Sequence, residues 1–143
     1  MNNRKIKVAM VTNHFGITGI GTVIMNYCKA LDKEKYDLTI FAGQPISEKY
    51  EKECLENDIH LVELPSRHGN PKGHYIALWK ALRAGHYDIV HDHGSSSMMA
   101  IELTIAKLAG VKNRIAHSHN SNCPNMKVHK LLNPYFRTVY TKA

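Results

Sequence analysis

The chain has few cysteines and no pattern among them. Cys28, Cys54 and Cys123 lie far apart in 143 residues, and no CxxC pair occurs. The odd count and wide spacing argue against a disulfide framework and against a cysteine zinc site, and they fit a reducing cytosol. Long apolar runs are also lacking. No stretch approaches the roughly 20 residues of a membrane span, and Met1-Asn2-Asn3-Arg4-Lys5 runs into a strand-like segment without the apolar region of a signal peptide. Repeats, low-complexity tracts and linkers are absent too. Acidic charge is scarce beside basic, 12 residues against 19, giving +7 with histidine neutral. That excess favours anionic partners: phosphorylated metabolites, acidic lipid headgroups or nucleic acid. The basic residues are scattered, however, and read mostly as solvated surface. No base-stacking or helix-turn-helix signature accompanies them, which sets nucleic acid aside.

Hydrophobic residues make up 43% of the chain, enough for the core of one domain. They fall into alternating strand-like and helix-like segments. Strands are expected at residues 5–12, 36–42, 59–63, 87–91 and 113–118. Between them helices are expected at 20–31, with Val23, Tyr27, Ala30 and Leu31 on the apolar face, and at 47–57, with Ser47 as N-cap. A third helix opens on Asn70-Pro71 and closes at Gly85, and a fourth opens within Ser95 to Ser97 and ends at Gly110. A last helix starts near Met126, with Pro134 bending or breaking it. Alternation of this kind predicts an α/β fold, a Rossmann-like doubly wound parallel sheet of order 3-2-1-4-5. Strands 1 and 4 then flank the topological switch point, where such sheets bind ligands. Three loops meet there: 13–21, 92–97 and 119–125.

The first of these loops carries Gly16, Gly19 and Gly21 before a helix N-terminus, a setting that lets backbone N–H groups approach an anion. A tight strand–helix turn without a ligand reads the same way. The spacing is G-x-x-G-x-G, not the dinucleotide G-x-G-x-x-G, and Phe41-Ala42-Gly43-Gln44 supplies no acid for a ribose hydroxyl. Neither a Walker A sequence nor a G-x-S-x-G elbow occurs. Ser95, Ser96 and Ser97 can hold phosphate or a sugar hydroxyl, or serve as helix caps.

Ten histidines are present, and four form the pairs His91-x-His93 and His117-x-His119. Residues two apart on a strand share a face, so each pair presents two imidazoles together. Two pairs on neighbouring strands can bind a metal, with Asp92 as a further ligand, in the manner of a metal-dependent hydrolase. Strand histidines are also common as hydrogen-bonded core residues. By position, His93 and His119 are the candidates for ligand contact, and His91 and His117 are structural.

Three segments, taken in order, resemble glycosyltransferase family 4: Gly19-Ile20-Gly21-Thr22-Val23-Ile24-Met25-Asn26-Tyr27, Tyr87-Asp88-Ile89-Val90-His91-Asp92-His93-Gly94 and Arg114-Ile115-Ala116-His117-Ser118-His119-Asn120. The likeness is strongest to the N-terminal half of bacterial capsular and exopolysaccharide transferases. It implies one half of a GT-B fold, two Rossmann-like domains with the active site between them. The N-terminal domain holds a glycan or lipid-linked acceptor, and the C-terminal domain holds the sugar nucleotide, the co-substrate of a retaining hexosyl transfer that needs no metal or other cofactor. His119 is then the catalytic candidate, and Gly19, Gly21, Thr22, His93, Gly94, Ser95 and Asn120 bind the donor diphosphate or substrate. Relatives commonly show Gly-Gly, an apolar residue and Glu where this chain reads Thr18-Gly19-Ile20-Gly21. The acceptor contact of that glutamate is therefore not carried over.

The expectation for residues 1–143 is a single acceptor-side domain whose donor-binding partner domain is absent, with little activity alone. It would be cytoplasmic, at the inner face of a membrane. There Lys127, His129, Lys130, Arg137 and Lys142, set among Leu131, Leu132, Tyr135, Phe136 and Tyr140, would meet anionic lipid. The same residues read somewhat better as a helix packed on the sheet, or covering a missing domain, with its lysines solvated. A non-enzymatic phosphate- or nucleotide-binding module is the alternative outside enzymology.

Overall fold

The computed structural model describes residues 4–94, 98–119 and 126–140, and for residues 128, 132, 136 and 140 the backbone only. Five strands alternate with five helices: β1 (Ile6–Thr12), α1 (Gly19–Ala30), β2 (Tyr36–Gly43), α2 (Glu48–Glu56), β3 (His60–Leu64), α3 (Pro71–Gly85), β4 (Ile89–Gly94), α4 (Met99–Leu108), β5 (Asn113–Ser118) and α5 (Met126–Tyr140). All strand pairs are parallel, in the order β3-β2-β1-β4-β5. This is the predicted Rossmann-like sheet, with β1 and β4 adjacent at its switch point.

Strand alternation divides the core into two layers. Val8, Met10, Leu38 and Ile40 pack with Ile24, Met25 and Cys28 of α1 and with Tyr50 and Cys54 of α2. Ala9, Val11, Phe41 and Val90 face Leu78 and Leu82 of α3 and Leu103 and Ala106 of α4 on the other side. Both faces of the sheet are therefore covered at its centre, as a parallel sheet requires, while β5 remains partly exposed.

Several local expectations need correction. The buried stripe of α1 is Gly21, Ile24, Met25 and Cys28, rotated from the expected face, and Tyr27 is 45% exposed. Small Gly21 lets the helix start against the Gly16 carbonyl and Tyr50, and Cys28 enters the core packed on β1 and β2. Ser47 occupies the N-cap of α2, but its side chain caps nothing. Asn70 does cap α3, its Oδ1 accepting from the Gly73 amide at 2.9 Å. Gly85 is the last helical residue there, and His86 takes the left-handed C-cap conformation with φ 51°. The fourth strand runs to Gly94, not His91, so His93 and Gly94 belong to the sheet. Pro134 lies inside a continuous α5. Ser95, Ser96 and Ser97, proposed as caps, lie outside the described residues, and Met98 precedes α4 without a side-chain cap.

Candidate functional site

The carboxyl ends of β1 and β4 open into a small cleft. Its walls come from Thr12, Asn13 and His14 after β1, Ile20 of α1, Arg67 after β3, His93 and Gly94 of β4, and Met98, Met99 and Glu102 at the start of α4. The position is the crevice that topology predicts.

The glycine loop borders this cleft, but Gly19, Gly21 and Thr22 are not on its walls. Thr18 is the N-cap of α1, and its Oγ1 accepts from the Gly21 amide at 3.3 Å. That amide is thus already engaged within the chain. The Thr22 hydroxyl is engaged as well, with the Thr18 carbonyl at 3.0 Å and the Tyr50 hydroxyl at 3.1 Å. A Cβ on Gly21 would sit 2.4 Å from the Gly16 carbonyl oxygen, whereas one on Gly19 would meet nothing within 4 Å. Close packing explains Gly21, and open space surrounds Gly19. The loop is pinned from below by Phe15, which is fully buried, stacks on Tyr50 with ring centroids 4.8 Å apart, and accepts from the Ser47 amide.

Beside the cleft, the four histidines form a two-by-two array on the α1 side of β4 and β5. His93 lies opposite His117 in the strand register. Across the strands, His91 Nε2 meets His117 Nδ1 at 3.3 Å and His93 Nδ1 meets His119 Nε2 at 3.0 Å. Along the strands the His91 and His93 rings are tilted at 36° with centroids 4.1 Å apart, and those of His117 and His119 stack at 4.3 Å. Tyr27 covers the array, its ring about 6 Å from those of His91, His93 and His117. The His119 amide donates to the Gly94 carbonyl at 2.9 Å, which carries the β4–β5 ladder to the cleft edge. The array thus joins His119, just off the lining, to His93 within it. Asn120 and Ser95 lie outside the described residues.

Burial, reinforced by the neighbouring imidazoles, holds His91 down to about 4 and His93 down to about 2. His119 is lowered by the same causes. A base whose folded-state pKa is depressed takes up fewer protons than the unfolded chain, so stability falls as pH drops. For His91 the window runs from the ordinary value of 6.5 to about 4. Thermal unfolding between those values should show a falling midpoint with acid, and His91→Gln should make the fall shallower. A profile unchanged by the substitution would show that the array carries no such coupling.

Asp92 does not join the histidines. Alternation along β4 turns it to the opposite face, where it is completely buried beside the carboxyl of Glu102. Burial and the neighbouring Glu102 push its carboxyl well above the ordinary range. Glu102, 3% exposed, accepts from Arg67 Nη1 at 3.0 Å and lies 3.6 Å from His74 Nε2. Sequence reasoning missed His14, Arg67 and Glu102. Arg67 was reachable, because the loop after β3 also ends at the carboxyl edge of the sheet. Glu102 had a fainter signal, an acid inside the otherwise apolar run 98–106.

A parallel sheet with a cleft at its switch point defines a Rossmann-like α/β domain. A solved structure with the same fold is the scyllo-inositol dehydrogenase from Lactobacillus casei, bound to NAD(H) and scyllo-inositol. It matches with a TM-score of 0.52 and 13% identity, covering 79% of this chain and 28% of that one. The family model for Glycosyltransferase Family 4 matches residues 17–143. The chain therefore belongs to glycosyltransferase family 4. Over 126 residues it is 30% identical to EpsF of Bacillus subtilis (strain 168), a protein named as a glycosyltransferase. That match covers 85% of this chain and 32% of EpsF, so the chain spans about a third of its relative.

Proposed function

We propose that this domain is the acceptor-side half of a GT-B enzyme that transfers a hexosyl group, with retention, from a sugar nucleotide to a glycan or lipid-linked acceptor in exopolysaccharide or capsule synthesis. The observation that carries this reading is the cleft at the β1–β4 switch point, walled by His93 and Gly94 and tied to His119 through the His93–His119 hydrogen bond. Membership of the family over residues 17–143 supports transfer over metal-dependent hydrolysis. In this reading His119 contacts the donor sugar or its phosphate, and Gly19 offers a close approach for the diphosphate. The polar lining of Asn13, His14, Arg67 and Glu102 suits sugar hydroxyls, which pair well with planar polar groups, while Ile20, Met98 and Met99 supply the apolar wall. No helix among the described residues is long and apolar enough to cross a membrane. A lipid-linked acceptor would instead meet α5, where Leu131 is 80% exposed among Lys127, Lys130 and Arg137.

Radiolabelled-sugar transfer tests the proposal. The chain alone is expected to give background counts. Fused to a donor-binding domain of the family it should label a lipid or glycan acceptor, and His119→Ala should reduce that labelling by about 100-fold. Robust turnover by the chain alone would overturn the half-enzyme reading. No transfer by the fused protein with any sugar nucleotide would overturn the function.

A further inference from the structure

The histidine array holds more imidazoles than one contact to a donor sugar needs. His91, His93 and His117 each offer a ring nitrogen, and the three nitrogens all lie within 4.8 Å of one another. We propose that these three residues form a binding site for a borderline-soft divalent cation of the zinc type, which shares His93 with the wall of the cleft and is additional to the transfer reaction.

The spacing favours such an ion. Two ligands on a tetrahedral zinc with bonds of 2.0–2.1 Å stand about 3.3 Å apart. His91 Nε2 and His117 Nδ1 already stand at 3.3 Å. Both side chains project from hydrogen-bonded strands in fixed register, which limits the ordering cost of gathering them. His93 adds an independent sign. It is 1% exposed, yet its Nε2 has no hydrogen-bond partner. A buried polar nitrogen without a partner is costly in a finished core.

The donor set also selects the cation. All-nitrogen imidazole sites suit zinc, copper and nickel, whereas magnesium and calcium want carboxylate and carbonyl oxygen. The carboxylate between His91 and His93, Asp92, lies on the other face of the sheet. His91 and His117 are only half-buried, so an ion can enter beneath the edge of Tyr27. Binding requires two small changes. The ring that now donates in the His91–His117 bond moves its proton to its other nitrogen, and both rings turn so that their lone pairs point at the ion. Water or His119 completes the tetrahedron. Because His93 is hydrogen-bonded to His119, an ion here also acts on the residue at the cleft edge.

Calorimetric titration of the purified chain with Zn²⁺ at neutral pH provides the test. One ion per chain should bind with an affinity on the order of micromolar or tighter. His91→Ala and His117→Ala should each weaken it at least about tenfold, while His60→Ala on exposed β3 should leave it unchanged. Mg²⁺ should give no saturable heat. Circular dichroism identifies any variant that fails to fold, and His91→Gln and His117→Gln then take its place. Absence of stoichiometric Zn²⁺ binding, or binding that persists in folded His91 and His117 variants, overturns the site.

Discussion

Gly21→Ala is expected to lower the thermal unfolding midpoint by about 8 °C, whereas Gly19→Ala, two residues earlier, should leave it unchanged or raise it. An added Cβ at Gly21 would stand 2.4 Å from the Gly16 carbonyl oxygen and 2.7 Å from Tyr50 Cε2. The first of these atoms is backbone, so α1 must lift or the loop must shift. Overpacking of this kind costs about 1–3 kcal/mol, and the upper end applies where backbone must move. For a chain of this size each kcal/mol is worth roughly 3 °C. Gly19 meets nothing within 4 Å, and alanine is favoured over glycine in a helix by roughly 0.5–1 kcal/mol. Circular-dichroism melts of both variants decide the matter. A wild-type midpoint for Gly21→Ala would mean that α1 is not held against Gly16 as described.

The contrast bears on what the glycine loop is for. Gly21 lets α1 start low against the end of β1, and Thr18 occupies its amide. An anion cradle would need those amides unoccupied. Gly19 keeps the open approach that a diphosphate could use, so a stable Gly19→Ala variant fused to a donor-binding domain separates ligand approach from packing.

The order of the sheet was legible because both core layers announce themselves through alternation: Val8 and Met10 for one face, Ala9 and Val11 for the other. β5 was legible to the residue. β4 was not, because His91, Asp92 and His93 look like the end of an apolar run. They continue the strand because each polar group answers to tertiary structure: the imidazoles bond across to β5, and Asp92 sits beside Glu102 in a site that favours its neutral form. The face of α1 was misread for a related reason. Tyr27 looks like core, but it covers the histidine array at the surface, while Gly21 packs against the Gly16 loop and Tyr50 and Cys28 enters the core. Half of the cleft followed from topology, the part built by β1 and β4. The half built by Arg67 and Glu102 did not, since a charged residue in sequence is most often solvated, and only packing shows that these two meet.

That second half carries the other large expected effect. Arg67→Ala should lower the unfolding midpoint by roughly 10 °C near neutral pH, from a loss of about 3–4 kcal/mol. Arg67 is 17% exposed at its side chain and bonds Glu102 at 3.0 Å, and Glu102 adjoins the fully buried Asp92. Removing the guanidinium leaves two carboxyl groups in a dry site, with His74 the nearest remaining partner at 3.6 Å from Glu102. The pH dependence distinguishes this cause from simple loss of packing. Arg67 lowers the proton affinity of Asp92, so without it the native state holds its acid protons to higher pH than before. A carboxyl raised in the native state contributes stability at low pH that is lost as pH rises. The deficit of Arg67→Ala should therefore shrink markedly towards pH 4. A deficit constant from pH 4 to 8 would assign the effect to the lost aliphatic stem. Because Arg67 and Glu102 both line the cleft, the same substitution would also alter the polar wall that we match to sugar hydroxyls. Arg67→Lys, which returns the charge without the planar fork, should recover more of the stability than of acceptor labelling by the fused enzyme.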